Sequence, residues 1–308
     1  MSCTSKYPLV SVVIPAFRAE RFIERAINSV REQSYPNWEI VVVEDGSKDA
    51  TESLVARFSE AVSQNVAYSS NKTNIGVSAT RNRAMSLARG EVIAFLDSDD
   101  WWSCEHLKAG LCSLLDGAGI CFSGFHIYDE RKGERIETEP PTTEQLADPI
   151  TSLLQRNYIQ ASSLVMLWTK VAKATDQFDT ELRVGEDVDY WVRLMSKGHS
   201  MQWTGQTTCY YAKHEESAMA KTLMVAEETV KLYRKHLHSA FLPRSIRKRL
   251  LARSLLQHAR LIWRSDRMRA RPMFVEAFML QPMNPRILAY VAAVNAACML
   301  PRWGRTPV

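Results

Sequence analysis

The chain is predicted to fold as an α/β protein, a mostly parallel twisted sheet flanked by helices with a helical extension at its C-terminus. Three observations predict this. Short β-branched runs recur through the first hundred residues, segments with apolar residues at helical spacing separate them, and polar clusters follow the runs directly. Runs that are apolar throughout suit strands covered on both faces, the usual condition of a parallel sheet.

Taken in order, "LVSVVI" (9–14) is the first strand and "RFIERAINSVREQ" (21–33) the first helix. "EIVVVE" (39–44) is a second buried strand, followed by the helical "DATESLVARFSEAV" (49–62). "NVAYSS" (65–70) is a weaker strand, "GVSATRNRAMSLAR" (76–89) a helix and "EVIAFL" (91–96) a fourth strand. "GICFSGFHIYDE" (119–130) and "SSLVMLW" (162–168) also read as strands, with "RKGERIETEPPTTEQ" (131–145) a polar, proline-containing loop between them. "EDVDYWVRLMSKG" (186–198) is a helix closing on Gly198, and "SMQWTGQTTCYYAKH" (200–214) is strand material. From Ser217 the pattern is almost entirely helical, interrupted at Pro243, Pro272, Pro282 and Pro285.

The 308 residues are 46% apolar and 24% charged, which suits a globular protein with a real core. No stretch approaches the roughly 20 uncharged apolar residues that span a bilayer. The N-terminal "MSCTSKYPLVSVVIPAF" lacks the charged, apolar and small-residue regions of a secretion signal, so a cytoplasmic location is expected. Cys3, Cys104, Cys112, Cys121, Cys209 and Cys298 are scattered without a C-x-x-C pair and read as reduced thiols packed as small hydrophobes. The net charge of +5 is unevenly spread. From Phe241 onward there are 13 Lys and Arg against 2 Asp and Glu, and before it 26 against 32. Two regions are expected, 1–240 and 241–308.

In parallel α/β sheets, ligands bind beyond the carboxyl ends of the strands. "PAF", "EDGSKD" and "DSDD" fall at those ends. Asp97, Asp99 and Asp100 stand within four positions of one another. A turn or a helix N-cap accounts for one of them, such as Asp100 before "WWSCEHLKAG". A hard divalent cation, Mg²⁺ or Mn²⁺, accounts for the crowding, and it would be shared with a phosphate-bearing ligand. Glu44 and Asp45 precede Gly46 at the second strand end, in a turn where Ser47 or Asp49 caps the next helix. Two carboxylates there also suit a base imide or a ribose hydroxyl. Arg81, within a helix, is either ion-paired or a phosphate contact.

The ordered set "VSVVIPAF…EIVVVEDGSKD…NIGVSATRNRAMSLARGEVIAFLDSDD…GEDVDYWVRL…YYAKHEES" resembles the family 2 glycosyltransferases of the GT-A fold, over roughly residues 8 to 220. The resemblance implies inverting transfer of a sugar from a nucleotide-diphosphate donor, a UDP-sugar being favoured, to a glycan or lipid-linked acceptor in bacterial polysaccharide assembly. It implies base or ribose contacts at Glu44 and Asp45, and donor contacts at Asp97 and Asp99. It implies a Mn²⁺ or Mg²⁺ site at Asp99, Asp100 and His214, with Asp97 nearer the ribose. It gives Asp187 the role of catalytic base, beside Glu186. Asp189, two positions on, points elsewhere and is the weaker base. Pro15 and Phe17 are expected to line the nucleotide pocket, Phe17 standing where the family commonly has Tyr. Trp101 and Trp102 offer either a sugar platform or ordinary core packing. A sugar nucleotidyltransferase is the nearest enzymatic alternative, and a sugar-binding relative without catalysis is another.

In the C-terminal region Leu250, Leu251, Leu255, Leu256, Leu261 and Ile262 form an apolar stripe among arginines. A helical cap with a solvated basic face is one reading. Peripheral attachment to an anionic membrane surface, at the inner face of the cell membrane, is the functional one. The uncharged run 287–300 is too short to span a bilayer but long enough to lie in its interface. No recognition motif supports nucleic acid as a partner.

Overall fold

The computed structural model describes residues 7–214 and 222–299, the side chains of 293–299 excepted. The N-terminal six residues, the "EES" after His214, and residue 300 onward lie outside it, as do the thiols of Cys3 and Cys298. The chain divides into two compact units, Met1–Ser217 and Ala218–Val308.

The first unit opens with β1 (Val10–Ala16), α1 (Ile23–Arg31), β2 (Trp38–Glu44), α2 (Thr51–Glu60), β3 (Val66–Ser70), α3 (Val77–Leu87) and β4 (Val92–Phe95). It continues through β5 (Trp101–Trp102), α4 (His106–Leu115), β6 (Ile120–Asp129) and β7 (Glu134–Glu137). Two short helices follow, α5 (Thr143–Ala147) and α6 (Pro149–Gln155). Then come β8 (Val165–Trp168), α7 (Thr169–Ala172), α8 (Glu186–Ser196) and β9 (Met201–Lys213).

One curled sheet holds these strands in the order β3-β2-β1-β4-β8-β6-β9-β5, with β7 on the edge of β6. Its first four strands are parallel, joined by helical crossovers, as buried β-branched runs require. β8 then enters antiparallel between β4 and β6, while β6 and β9 run parallel. Every residue of β1, β2 and β4 is buried. Phe95, Tyr190 and Trp191 are fully buried and join Phe178 in an aromatic cluster behind the carboxyl end of β4. Burial of each such ring stabilises the fold by about 1.5–3 kcal/mol.

Two local expectations are corrected. Asp100 caps no helix, because Trp101 and Trp102 pair with Tyr210 and Cys209 as a short strand and α4 starts only at His106. The polar 131–145 stretch is partly ordered. Gly133, at φ +67°, turns β6 back into β7, and Thr142 with Gln145 forms a reciprocal cap on α5. Cys104, Cys112, Cys121 and Cys209 are free thiols.

The second unit contains α9 (Thr222–Lys235), α10 (Arg244–Ile262), α11 (Arg267–Leu280) and α12 (Pro285–Met299). Val230, Leu251, Leu255, Ala277 and Ile287 form one apolar cluster, and Ala259, Ile262, Ala270 and Phe274 another. Of the predicted stripe on α10, Leu250, Leu251, Leu255 and Ile262 are buried, whereas Leu261 faces solvent. Among the described residues no helix is long and apolar enough to cross a membrane.

Candidate active site

The polar clusters gather where β1, β2 and β4 end. "DSDD" is a β-turn closed by the Asp100 amide donating to the Asp97 carbonyl at 3.1 Å. This geometry separates three carboxylates that adjoin in sequence. Asp100 turns inward and is 1% exposed. Its two oxygens accept from Ser163 Oγ at 2.5 Å and from the Ala212 amide at 2.9 Å. Burial, then the charges of Asp99 and Asp97, push its carboxyl well above the usual carboxylate range. Asp99 turns outward and meets His214 Nε2 at 2.8 Å, the imidazole stacking on Phe22. Asp97 receives Arg81.

Arg81 comes from α3, which is held against the loop ahead of α8 by Ser78 Oγ donating to the Leu182 carbonyl and by Asn82 exchanging two hydrogen bonds with Phe178. One terminal nitrogen of Arg81 donates to Asp97 at 2.7 Å and the other to Glu186 at 2.6 Å. Burial opposes the guanidinium charge, but Asp97 and then Glu186 outweigh it and raise the Arg81 pKa. A buried cation between two carboxylates stays charged and holds both anions in place.

α8 begins after Gly185, which adopts a left-handed conformation at φ +81°. Glu186, Asp187 and Asp189 occupy its first turn, where the helix dipole favours carboxylates. Asp189 is fully buried and bound to Arg193 at 2.8 Å, so it points away from the cluster, as its position in the helix predicts. Asp187 accepts from the Val188 amide at 2.7 Å. Burial, followed by the neighbouring Glu186 charge, pushes its carboxyl up to about 7, with Arg81 opposing.

Glu44 and Asp45 organise their own loops. Glu44 accepts from the Gly46 and Ser47 amides at 2.9 and 2.6 Å. Asp45 accepts from Asn71 Nδ2 at 2.8 Å and from the Ile75 and Gly76 amides at 2.9 and 3.0 Å, which ties the β2 loop to the start of α3. Gly46 sits at φ +80°, and a Cβ there would lie 2.7 Å from the Thr73 carbonyl carbon. Asp49 accepts from the Thr51 amide at 3.1 Å, one residue ahead of the α2 cap position.

Residues 11–165 match the family model for glycosyl transferase family 2. The chain belongs to this family. TuaG of Bacillus subtilis, a glycosyltransferase named for teichuronic acid biosynthesis, is 27% identical over 235 residues, covering 75% of this chain and 89% of that protein. The crystal structure of S. aureus TarS 1–349 in complex with UDP-GlcNAc superposes with a TM-score of 0.66 at 21% identity, over 94% of this chain and 88% of TarS. The mannosyltransferase PcManGT of Pyrobaculum calidifontis, in complex with GDP-Man and Mn²⁺, superposes with a TM-score of 0.63 at 17% identity, over 98% and 89%. These two structures share the GT-A fold with this glycosyltransferase.

The residues expected to hold a metal divide. Asp99 and His214 converge with an oxygen and a nitrogen donor, while the Asp100 oxygens are committed to Ser163 and Ala212. The expected group of Asp99, Asp100 and His214 is therefore not assembled, and among the described residues no three His, Cys, Asp or Glu form one. A two-donor set still fits a divalent cation that completes its shell with substrate phosphates and water.

Pro15 is buried in β1, and Phe17 lies exposed beyond it with Arg18 over its ring. Trp102 is core, donating to the Ser163 carbonyl at 2.8 Å and stacking on His106, so it offers no sugar platform. Trp101 stacks on Tyr210 and carries the Arg25 guanidinium 3.9 Å from its ring centre. Sequence reasoning missed Arg25, which donates to the Asp99 carbonyl at 2.8 Å and to Glu130 at 2.7 Å. It also missed Ser163, whose Oγ accepts from the Asp97 amide at 2.9 Å while donating to Asp100. Neither residue lies in a motif, and only the fold brings them to the turn.

Proposed function

We propose that this glycosyltransferase moves a sugar with inversion from a nucleoside-diphosphate sugar, a UDP-sugar being favoured, to a hydroxyl of a glycan acceptor in cell-surface polysaccharide assembly. The observation that supports the reading is the Asp97–Arg81–Glu186 bridge, which ties the "DSDD" turn, carrying Asp99, to the first turn of α8, carrying Asp187. The names of TuaG and of the TarS complex support a polymer acceptor and a UDP-linked donor.

In the reaction the acceptor oxygen forms a bond to the anomeric carbon as the carbon–oxygen bond to the diphosphate breaks. The acceptor proton passes to the Asp187 carboxylate, and the nucleoside diphosphate leaves with the bonding electrons. Asp187 suits the base role because its raised pKa lies near neutral pH. Glu186, fixed by Arg81, holds the start of α8 and the base with it. Asp97 faces the donor side of the bridge, with Glu44 and Asp45 shaping the nucleotide loops and Pro15 and Phe17 bordering them. Asp99 and His214 would hold Mn²⁺ or Mg²⁺, which supplies charge neutralisation at the departing diphosphate.

Incubation of the protein with a panel of nucleotide sugars, with and without Mn²⁺, tests the reading through nucleoside diphosphate release and transfer to glycan acceptors. Metal-dependent release from one donor is expected. Formation of nucleotide sugar from a sugar phosphate and a nucleoside triphosphate would replace it with a nucleotidyltransferase.

A further inference from the structure

Helix α11 has two faces. Ala270, Phe274 and Ala277 are buried in the cores of the helical unit. Met268, Pro272, Val275 and Met279 lie on the opposite side at spacings of four, three and four, which align in one narrow stripe at the pitch of an α-helix. All four are exposed, Met268 at 86% and Met279 at 74%, and Met283 follows just beyond the helix at 92%. Packing of the unit explains the first face and leaves the second without a task. Scattered exposed hydrophobics need no explanation, but an aligned stripe marks an interaction surface.

Charge indicates the partner. Arg264, Arg267 and Arg271 are exposed, and Arg271 shares a surface groove with Pro272, Val275 and Met279. Glu276, on the same helix, is paired with Arg234 at 2.9 Å, and Asp266 is occupied in capping α11 through the Arg269 amide. Beyond Phe241 the chain carries 13 basic against 2 acidic residues. A stable protein interface needs about 800 Å² per partner, more than one stripe of four side chains supplies. A lipid interface needs only an apolar stripe set shallowly among the headgroups, with cations on its flanks. Unbranched methionines adapt readily to a fluid partner.

We propose that the Met268–Pro272–Val275–Met279 face of α11 docks this chain on an anionic lipid surface. The docking is independent of which sugar the first unit transfers.

Flotation of the full chain with vesicles tests it, using phosphatidylcholine alone and phosphatidylcholine mixed with an equal amount of phosphatidylglycerol. Binding to the anionic vesicles, weakened by salt, is expected. Each basic residue at such a surface strengthens binding about fivefold, so Arg264→Glu with Arg271→Glu should weaken it at least ~25-fold. Val275→Asp with Met279→Asp should abolish flotation, whereas Arg271→Lys should retain it. Circular dichroism and nucleotide release in solution, unchanged in these variants, separate lost docking from lost folding or lost transfer. Flotation of the Val275→Asp, Met279→Asp variant equal to that of the unaltered chain would overturn the proposal. So would failure of the unaltered chain to bind anionic vesicles. A dimer seen by light scattering and dissolved by the same two substitutions would assign the stripe to a second copy instead.

Discussion

Arg81 and Glu186, 105 residues apart in sequence, meet at 2.6 Å in the protein interior, and the other arm of the same guanidinium grips Asp97. One side chain thus couples the turn after β4 to the start of α8. Removing it leaves the buried Glu186 and the half-buried Asp97 without their shared counter-charge. Arg81→Met should destabilise the first unit by about 3–5 kcal/mol, measured by urea unfolding. Adding Glu186→Gln to that variant should cost less than the two changes separately, because one of the stranded charges disappears with it.

Asp187→Asn should lower the rate of sugar transfer by about 10²–10⁴-fold while leaving donor affinity nearly unchanged, read by turnover and by calorimetric titration of the nucleotide sugar. Loss of donor binding together with turnover would take Asp187 out of the base role.

The pH profile follows from the same group. A base works deprotonated, and burial with the Glu186 charge sets this carboxyl at about 7. Turnover should therefore fall below pH 7 and level off above it on the limb that Asp187 controls. The Asp187→Asn variant should lack that limb.

Chelation should suppress nucleoside diphosphate release, and Mn²⁺ should restore it. Asp99→Asn and His214→Ala should each weaken the apparent metal affinity by at least the roughly 10–100-fold typical of a lost outer partner. Asp100→Asn should act differently. Its carboxylate secures Ser163 and the Ala212 amide, so thermal stability should change more than metal affinity.

His106 is buried, stacked on Trp102 and hydrogen-bonded to Thr208 Oγ1 at 2.8 Å. Burial lowers its pKa to about 3. The unfolded chain then binds a proton below about pH 6.5 that the folded chain refuses. Stability from this group is fully present above pH 6.5 and declines as pH falls toward 3, by roughly 1.4 kcal/mol per unit. His106→Phe should flatten that part of a stability–pH curve measured by denaturant titration.

Much of the first unit was legible because its signals are local. β1, β2 and β4 are runs whose residues are buried on both faces, and the helices between them carry apolar residues at helical spacing. The placement of "EDGS" and "DSDD" at strand ends follows from that alternation alone. Trp101–Trp102 was illegible, since two residues carry no period and their pairing partners Tyr210 and Cys209 lie a hundred residues away. β7 was hidden for a related reason, being an edge strand whose four residues, Ile136 included, are all exposed, so that no core selects it.

The sequence by itself determined the strand–helix alternation, the family, and the acids available for chemistry, because these depend on residue type and near neighbours. The tertiary structure decided what each acid can do. A β-turn sends Asp100 inward to Ser163 and Asp99 outward to His214, although the two are adjacent in the chain. Arg81, which the sequence leaves open between an ion pair and a phosphate contact, is committed to Asp97 and Glu186 by the packing of α3 against the loop before α8. Burial and counter-charge are properties of position in space, and they give Asp97, Asp99, Asp100 and Asp187 different surroundings although the four share one formula.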